Sequence, residues 1–293
     1  MNVASSSRST SGWVVVSRST STVGRSIFWA AVIAWFLCSS DFGRSLEESR
    51  DDLQSLGYDT PVPLIRSRLV HHSAGRNPRV VFTYSSSAQQ AADVVDDIKE
   101  DGGWARAVKA DVADPDQLAT AIGEAAEQLG GLDILVNNAG IASFGDVDTA
   151  TLADFDEIVA VNVRAVFAGI KAASPHLTEG GRIVTIGSIN GDRSPVANAS
   201  LYSMSKAAVA GLTRGLAREL GPRGITINNV QPGPVATDMN PEDGQLADIL
   251  RPNIAVGRYG QPRDIASLVS YLVSDEAWYI TGTAINIDGG FSV

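Results

Sequence analysis

Tyr202 and Lys206 stand four residues apart in LYSMSKAAVAGL, a stretch with helical patterning, so their side chains share one face of a helix. A phenol with an ordinary pKa of about 10 is a poor acid at neutral pH. An ammonium beside it favours the phenolate, and proton exchange with a carbonyl oxygen then becomes practical. An ordinary surface pair on a helix has the same spacing, so the neighbours decide. Ser188 follows the run RIVTI at 182–186, which reads as a strand, in the position where parallel α/β sheets carry functional loops. A hydroxyl there can steady a reacting oxygen, although a plain loop serine looks no different.

Such residues need a rigid frame, and the chain from about residue 79 onward supplies one. Residues 80–84, 105–110, 132–136, 182–186, 226–230 and 284–287 read as strands. Helical stripes fall between them at 88–100, 116–129, 151–177, 201–220 and 262–273. Strands with little polar alternation are buried on both faces, as parallel strands covered by helices must be. The pattern predicts an α/β fold with a doubly wound, Rossmann-like parallel sheet.

Composition narrows the function classes. A net charge of −10 discourages binding to polyanions such as nucleic acid. The single cysteine, Cys38, rules out an intrachain disulfide and a multi-cysteine metal cluster. These features suit a reducing, cytoplasmic setting.

Four strings occur in order with the expected elements between them: ILVNNAG, then GRIVTIGSINGDR, then LYSMSK, then VQPGPVATDM. Together they resemble the short-chain dehydrogenase/reductase family over about three quarters of the chain. The resemblance implies an NAD(P)H-dependent oxidoreductase that reduces a ketone, aldehyde or 3-oxoacyl thioester to an alcohol by hydride transfer. It makes Ser188, Tyr202 and Lys206 the catalytic serine, tyrosine and lysine, and Asn162 the asparagine that holds a water in the proton relay. Tyr202 would be the acid in reduction, and Lys206 would also hold the nicotinamide ribose.

The same resemblance assigns cofactor contacts to Asn138, Ala139 and Gly140, to Asp111 and Val112 at the adenine, and to Pro232, Gly233, Val235 and Thr237 around the nicotinamide. A carboxylate at the end of the strand 80–84 would favour NAD. Tyr84 is instead followed by Ser85, Ser86 and Ser87, which favours NADP. Residues 240–255 correspond to the family's variable substrate lid, and Asn190, Gly191, Asp192 and Arg193 stand either at the pocket edge or on a solvated turn. Within the family the chain is most similar to bacterial carbonyl reductases and 3-oxoacyl-carrier-protein reductases, including a subgroup that binds cyclic di-GMP. A nucleotide sensor that has lost turnover is therefore the rival reading. A homotetramer is the implied assembly.

The first 78 residues break the pattern. They hold 16 of the 30 serines, no lysine, and a net charge of +2 against −12 for the remainder. This predicts an atypical N-terminal segment (1–78) ahead of the family domain (79–293), with a different sequence source. The family's opening strand, T-G-x-x-x-G-x-G turn and helix have no match. DTPVPLIR at 59–66 carries two prolines and cannot be a central strand. The best substitute is a strand at 13–16, a loop at 17–24 that keeps only Gly24, and a helix at 27–38. That apolar run is too short to span a bilayer and reads as a buried helix or a signal-peptide centre. The replacement strand belongs mid-sheet, between 80–84 and 132–136. A chain without the glycine turn is expected to bind NADPH poorly.

Overall fold

The computed structural model describes residues 79–237 and 240–293, together with the backbone of residues 11–17. The elements in chain order begin with β1 (Ser11–Ser17), β2 (Arg79–Tyr84), α1 (Ala88–Glu100), β3 (Trp104–Lys109), α2 (Pro115–Leu129) and β4 (Leu132–Asn137). Next come α3 (Leu152–Val159), a π-helical turn (Ala160–Arg164), α4 (Ala165–Ala173), β5 (Leu177–Ile186) and α5 (Ser200–Leu220). The chain ends with β6 (Thr226–Pro232), α6 (Gln245–Leu250), α7 (Pro262–Leu272) and β7 (Ala284–Ile287). Among the described residues seven strands form one sheet in the order β3-β2-β1-β4-β5-β6-β7.

Local chemistry accounts for the helix boundaries. The Asp114 carboxylate accepts from the backbone N–H groups of Asp116 and Gln117, Pro115 opens α2, and Gly130 ends it in the left-handed region at φ 78°. Thr151 and Asp154 form a reciprocal capping box that starts α3. One sheet face packs Leu135, Ile183 and Ile227 against α2, α4 and α5. The other packs Val136, Val184 and Val230 against α1 and α7. Each fully buried side chain of this kind contributes about 1.5–3 kcal/mol relative to exposure. The stretch Leu152–His176 is long and apolar enough to cross a membrane, but half of it is buried in this core, which makes it a core helix.

Helical patterning at 151–177 hides three departures from a single helix: the π turn, a 3-10 turn at Ser174–His176, and an earlier start of β5 at Leu177. The strand β6 is also not the apolar run expected, because Asn228, Asn229 and Gln231 are fully buried within it.

The centre of the sheet holds the replacement strand where the sequence places it. β1 lies between β2 and β4, but it runs antiparallel to both, with Val16 opposite Val80 and Ile134. All the other neighbouring pairs, β2-β3, β4-β5, β5-β6 and β6-β7, are parallel. A strand in that slot pairs the inward N–H and C=O groups of β2 and β4 whichever way it runs. Direction does decide where the next segment emerges. Ser17 pairs with Arg79, at the edge where β2 begins, so the chain leaves β1 on the side opposite the loops after β4, β5 and β6. The expected loop at 17–24, the helix at 27–38 and the segment 59–66 lie outside the described residues.

Candidate active site

The C-terminal ends of β4, β5 and β6 open into a cleft of about 270 Å³. Asn138, Gly140, Ser188, Tyr202, Lys206, Pro232, Gly233, Val235 and Thr237 all line it. Residues separated by up to 99 positions in sequence thus share one wall, which is the arrangement parallel α/β sheets place at their carboxyl edge.

Ser188 begins a 3-10 turn over Ile189–Gly191, and its hydroxyl accepts from the Asn190 N–H at 3.2 Å and donates to Asn190 Oδ1 at 3.3 Å. It also hydrogen-bonds the Tyr202 hydroxyl. Desolvation pushes the Tyr202 phenol above its ordinary value, and the bond to Ser188 opposes that rise. Burial alone lowers Lys206 to about 8. Its Nζ donates to the Ile186 carbonyl at 3.1 Å and lies 5.6 Å from the Tyr202 ring centroid.

The ammonium stands beside the phenol ring, on the helix face that the four-residue spacing predicts. The Lys206 Nζ donates to the end of β5, and the Tyr202 hydroxyl has Ser188 as its hydrogen-bond partner. Burial keeps the phenol protonated at neutral pH, so the proton is present for transfer.

Asn162 sits in the π turn, a distortion that recurs at functional sites. Its Oδ1 accepts from the Ile141 N–H at 2.9 Å, and its Nδ2 donates to the Ile141 carbonyl at 2.9 Å and to Ser205 Oγ at 3.0 Å. Both amide hydrogens are used, and one lone pair on Oδ1 remains. The asparagine therefore clamps the loop after β4 to the helix layer. A Cβ at Gly140 would stand 3.4 Å from both Asn162 Oδ1 and Lys206 Nζ, which places that loop directly against both side chains.

Besides Asn162, which lies behind the loop after β4, three assigned residues are not in the cleft wall. Ala139 is buried in the core, and Val112 is buried in the same cluster beyond β3. Asp111 is exposed and its Oδ1 accepts from the Ala113 N–H, closing its own turn. Asn190 lines the cleft, while Arg193 reaches the Ser292 carbonyl at 2.6 Å. Leu246 and Leu250 of the segment 240–255 line the cleft, and sequence reasoning missed Phe144 and Phe291 in its wall. Phe291 follows the last strand with no motif around it, and only the folding back of the chain end brings it there.

A nicotinamide cofactor fits this site in part. Gly233 is pressed so close to Asp288 that a Cβ would lie 2.5 Å from that side chain, leaving bare backbone on the cleft side. The ammonium of Lys206 and the loop 232–237 match a nicotinamide ribose and ring. The residues that follow β1, where the family's glycine turn would receive the pyrophosphate, lie outside the described residues.

Fold and site together define an NAD(P)H-dependent carbonyl-reducing oxidoreductase. The profile described as Enoyl-(Acyl carrier protein) reductase, one of the short-chain dehydrogenase/reductase profiles, matches residues 68–292. The chain belongs to the short-chain dehydrogenase/reductase family. It is 42% identical over 227 residues to the Cyclic-di-GMP-binding biofilm dispersal mediator protein of Escherichia coli K12, covering 78% of this chain and 92% of that protein. It is 38% identical over 214 residues to a 3-oxoacyl-acyl-carrier-protein reductase of Staphylococcus aureus, covering 72% and 87%. Among solved structures, a short chain dehydrogenase from Burkholderia cenocepacia J2315 in complex with NADP shares 51% identity, with a TM-score of 0.72 over 73% of this chain and 87% of that one.

Proposed function

We propose that the chain reduces a small, uncharged, apolar ketone or aldehyde, with NADPH as the hydride donor. The observation that carries this is the convergence of Ser188, Tyr202 and Lys206 on one cleft that the loop 232–237 also borders. Bound NADPH supplies the hydride from its nicotinamide ring. Ser188 holds the substrate oxygen and Tyr202 gives it a proton through its phenol. Lys206 binds ribose hydroxyls and renews the Tyr202 proton, and Asn162 holds a relay water with its remaining lone pair. Asn138, Ala139, Gly140, Pro232, Gly233, Val235 and Thr237 hold the nicotinamide end, and Asp111 with Val112 the adenine.

NADP is favoured over NAD by the exposed hydroxyls of Ser86 and Ser87 at the start of α1, where Ser87 makes no side-chain cap. Anions are stabilised at helix N-termini. The NADP complex of the Burkholderia relative supports the same choice.

Substrate polarity follows from the wall. Ile141, Phe144, Val196, Leu246, Leu250 and Phe291 supply most of it. The lid adds exposed Glu242, Asp243 and Asp248, which repel a polyanionic carrier. A free carbonyl is thus preferred to a carrier-bound thioester. A homotetramer in the cytoplasm is the proposed setting, with exposed Phe155 and Phe167 on α3 and α4 available to partner copies.

The test is NADPH oxidation against a panel of ketones and aldehydes, with Tyr202→Phe as control. Turnover lost in that variant supports the reductase. Cyclic di-GMP binding with no turnover supports the sensor instead, a reading that the name of the Escherichia coli relative favours.

A further inference from the structure

A buried amide connects the serine's turn to the cofactor loop. Gln231 is fully buried on β6, directly before Pro232 and Gly233. Its Nε2 donates to Asp192 Oδ2 at 2.6 Å and to Asn286 Oδ1 at 2.7 Å, and its Oε1 accepts from Asn229 Nδ2 at 3.1 Å. Both amide hydrogens are therefore committed, one to β7 and one to the turn that Ser188 opens.

Asp192 closes that turn. Its N–H donates to the Ile189 carbonyl at 3.0 Å, and its carboxylate crosses 39 residues of sequence to reach Gln231. Charge-assisted bonds of this length are the stronger kind. Two further contacts hold the same turn. The Gly187 N–H donates to the Val230 carbonyl at 2.7 Å, and the missing Gly187 side chain admits Asn229, whose Oδ1 would lie 2.5 Å from a Cβ there. Gly191 rests on the α5 backbone, where a Cβ would stand 3.0 Å from the Lys206 carbonyl.

We infer that Asp192 and Gln231 are positioning residues: their bond sets the distance between the Ser188 hydroxyl and the nicotinamide face of the loop that begins at Pro232. The inference rests on the reductase reading for its catalytic consequence. Neither residue touches substrate; each acts through the backbone it restrains. Hydride transfer is sensitive to such restraint, because a misplacement of about 1 Å can cost a hundredfold in rate.

The experiment compares full-length wild type, Asp192→Ala and Asp192→Asn. Asp192 is exposed, so its removal leaves the core intact. In Asp192→Ala, kcat measured well below the melting transition should fall roughly ten- to hundredfold while KM for NADPH stays near wild type and the melting temperature drops by no more than the few degrees that one unpaired Gln231 N–H costs. The kinetic isotope effect with NADPH deuterated at the transferred position should rise. Asp192→Asn should restore both, since its amide oxygen accepts from Gln231 Nε2. Unchanged kcat in the alanine variant overturns the inference, as does a loss that tracks melting temperature or that asparagine does not rescue. If wild type shows no turnover, the reductase reading fails by itself. The tether is then read by hydrogen exchange of the amides at 188–193, faster in the alanine variant and normal in the asparagine one; equal exchange in all three overturns it.

Discussion

The strand in the middle of the sheet and the strands on its β4 side satisfy the same backbone requirement and deliver different things. The parallel set β4, β5 and β6 sends every following loop to one edge, and each loop brings a residue of the cleft: Gly140, Ser188 and Gly233. β1 fills a slot of equal size with a short valine run, but in the reverse direction. Hydrogen-bond pairing of neighbours is indifferent to direction. A binding site is not, because direction decides at which edge the chain re-emerges.

Replacing Tyr202 by phenylalanine has the largest expected effect on that comparison. Loss of the proton donor should lower kcat by about 10²- to 10⁴-fold with little change in NADPH affinity, measured by NADPH absorbance. A variant within a few-fold of wild type would place the chemistry elsewhere.

Two substitutions weigh the halves as structure. Val15→Pro removes a ladder donor from a central strand, which should cost about 1–3 kcal/mol per unpaired partner. Calorimetry should register this as a fall of several degrees; an unmoved transition would mean that β1 contributes nothing to the sheet. Gly187→Ala forces a Cβ to within 2.5 Å of Asn229 Oδ1, an overpacking worth about 1–3 kcal/mol. It should lower both stability and kcat, whereas Val15→Pro should leave kcat of the folded fraction alone.

The pH dependence separates the site's rate from its stability. Lys206 is held at about 8 against an ordinary 10.5 by burial. Between these values the unfolded chain binds the proton that the folded chain has released, so this group's contribution to stability rises with pH. Activity moves the other way: kcat/KM for reduction should fall above about pH 8 as the ammonium is lost, roughly tenfold per unit at the limit. Tyr202, raised by burial, stays protonated through the neutral range. A rate that is flat past about pH 9, or a stability that declines through that window, would contradict the assignment.

The smallest expected effect concerns the cofactor's two ends. Because the sequence ahead of β2 lacks the T-G-x-x-x-G-x-G pattern, NADPH is expected to bind weakly and to exceed reduced nicotinamide mononucleotide in affinity by no more than about tenfold, or about 1.4 kcal/mol. Fluorescence titration of both measures this. A thousandfold gap would mean that another segment cradles the pyrophosphate.

Much of this was legible from residues alone. The helices at 88–100 and 262–273 and the strand at 284–287 agree with the structure to within a residue, since apolar periodicity marks them and a capping box starts the second helix. The grouping of Ser188, Tyr202 and Lys206 was legible because their spacing lies on adjoining elements. The π turn around Asn162 was not, because one extra residue in a helical turn leaves the apolar stripe nearly unchanged. Phe291 and the buried polar side chains of β6 were also hidden, since their partners are distant in sequence.

The sequence by itself determined the order of strands and helices, the slot that the valine run would fill, and which side chains could exchange a proton. Those follow from local pattern and side-chain chemistry. Only the tertiary structure decided the direction of β1, the address of the Lys206 charge and the junction at Gln231. Each depends on which groups far apart in the chain become neighbours, and on the loss of water around them.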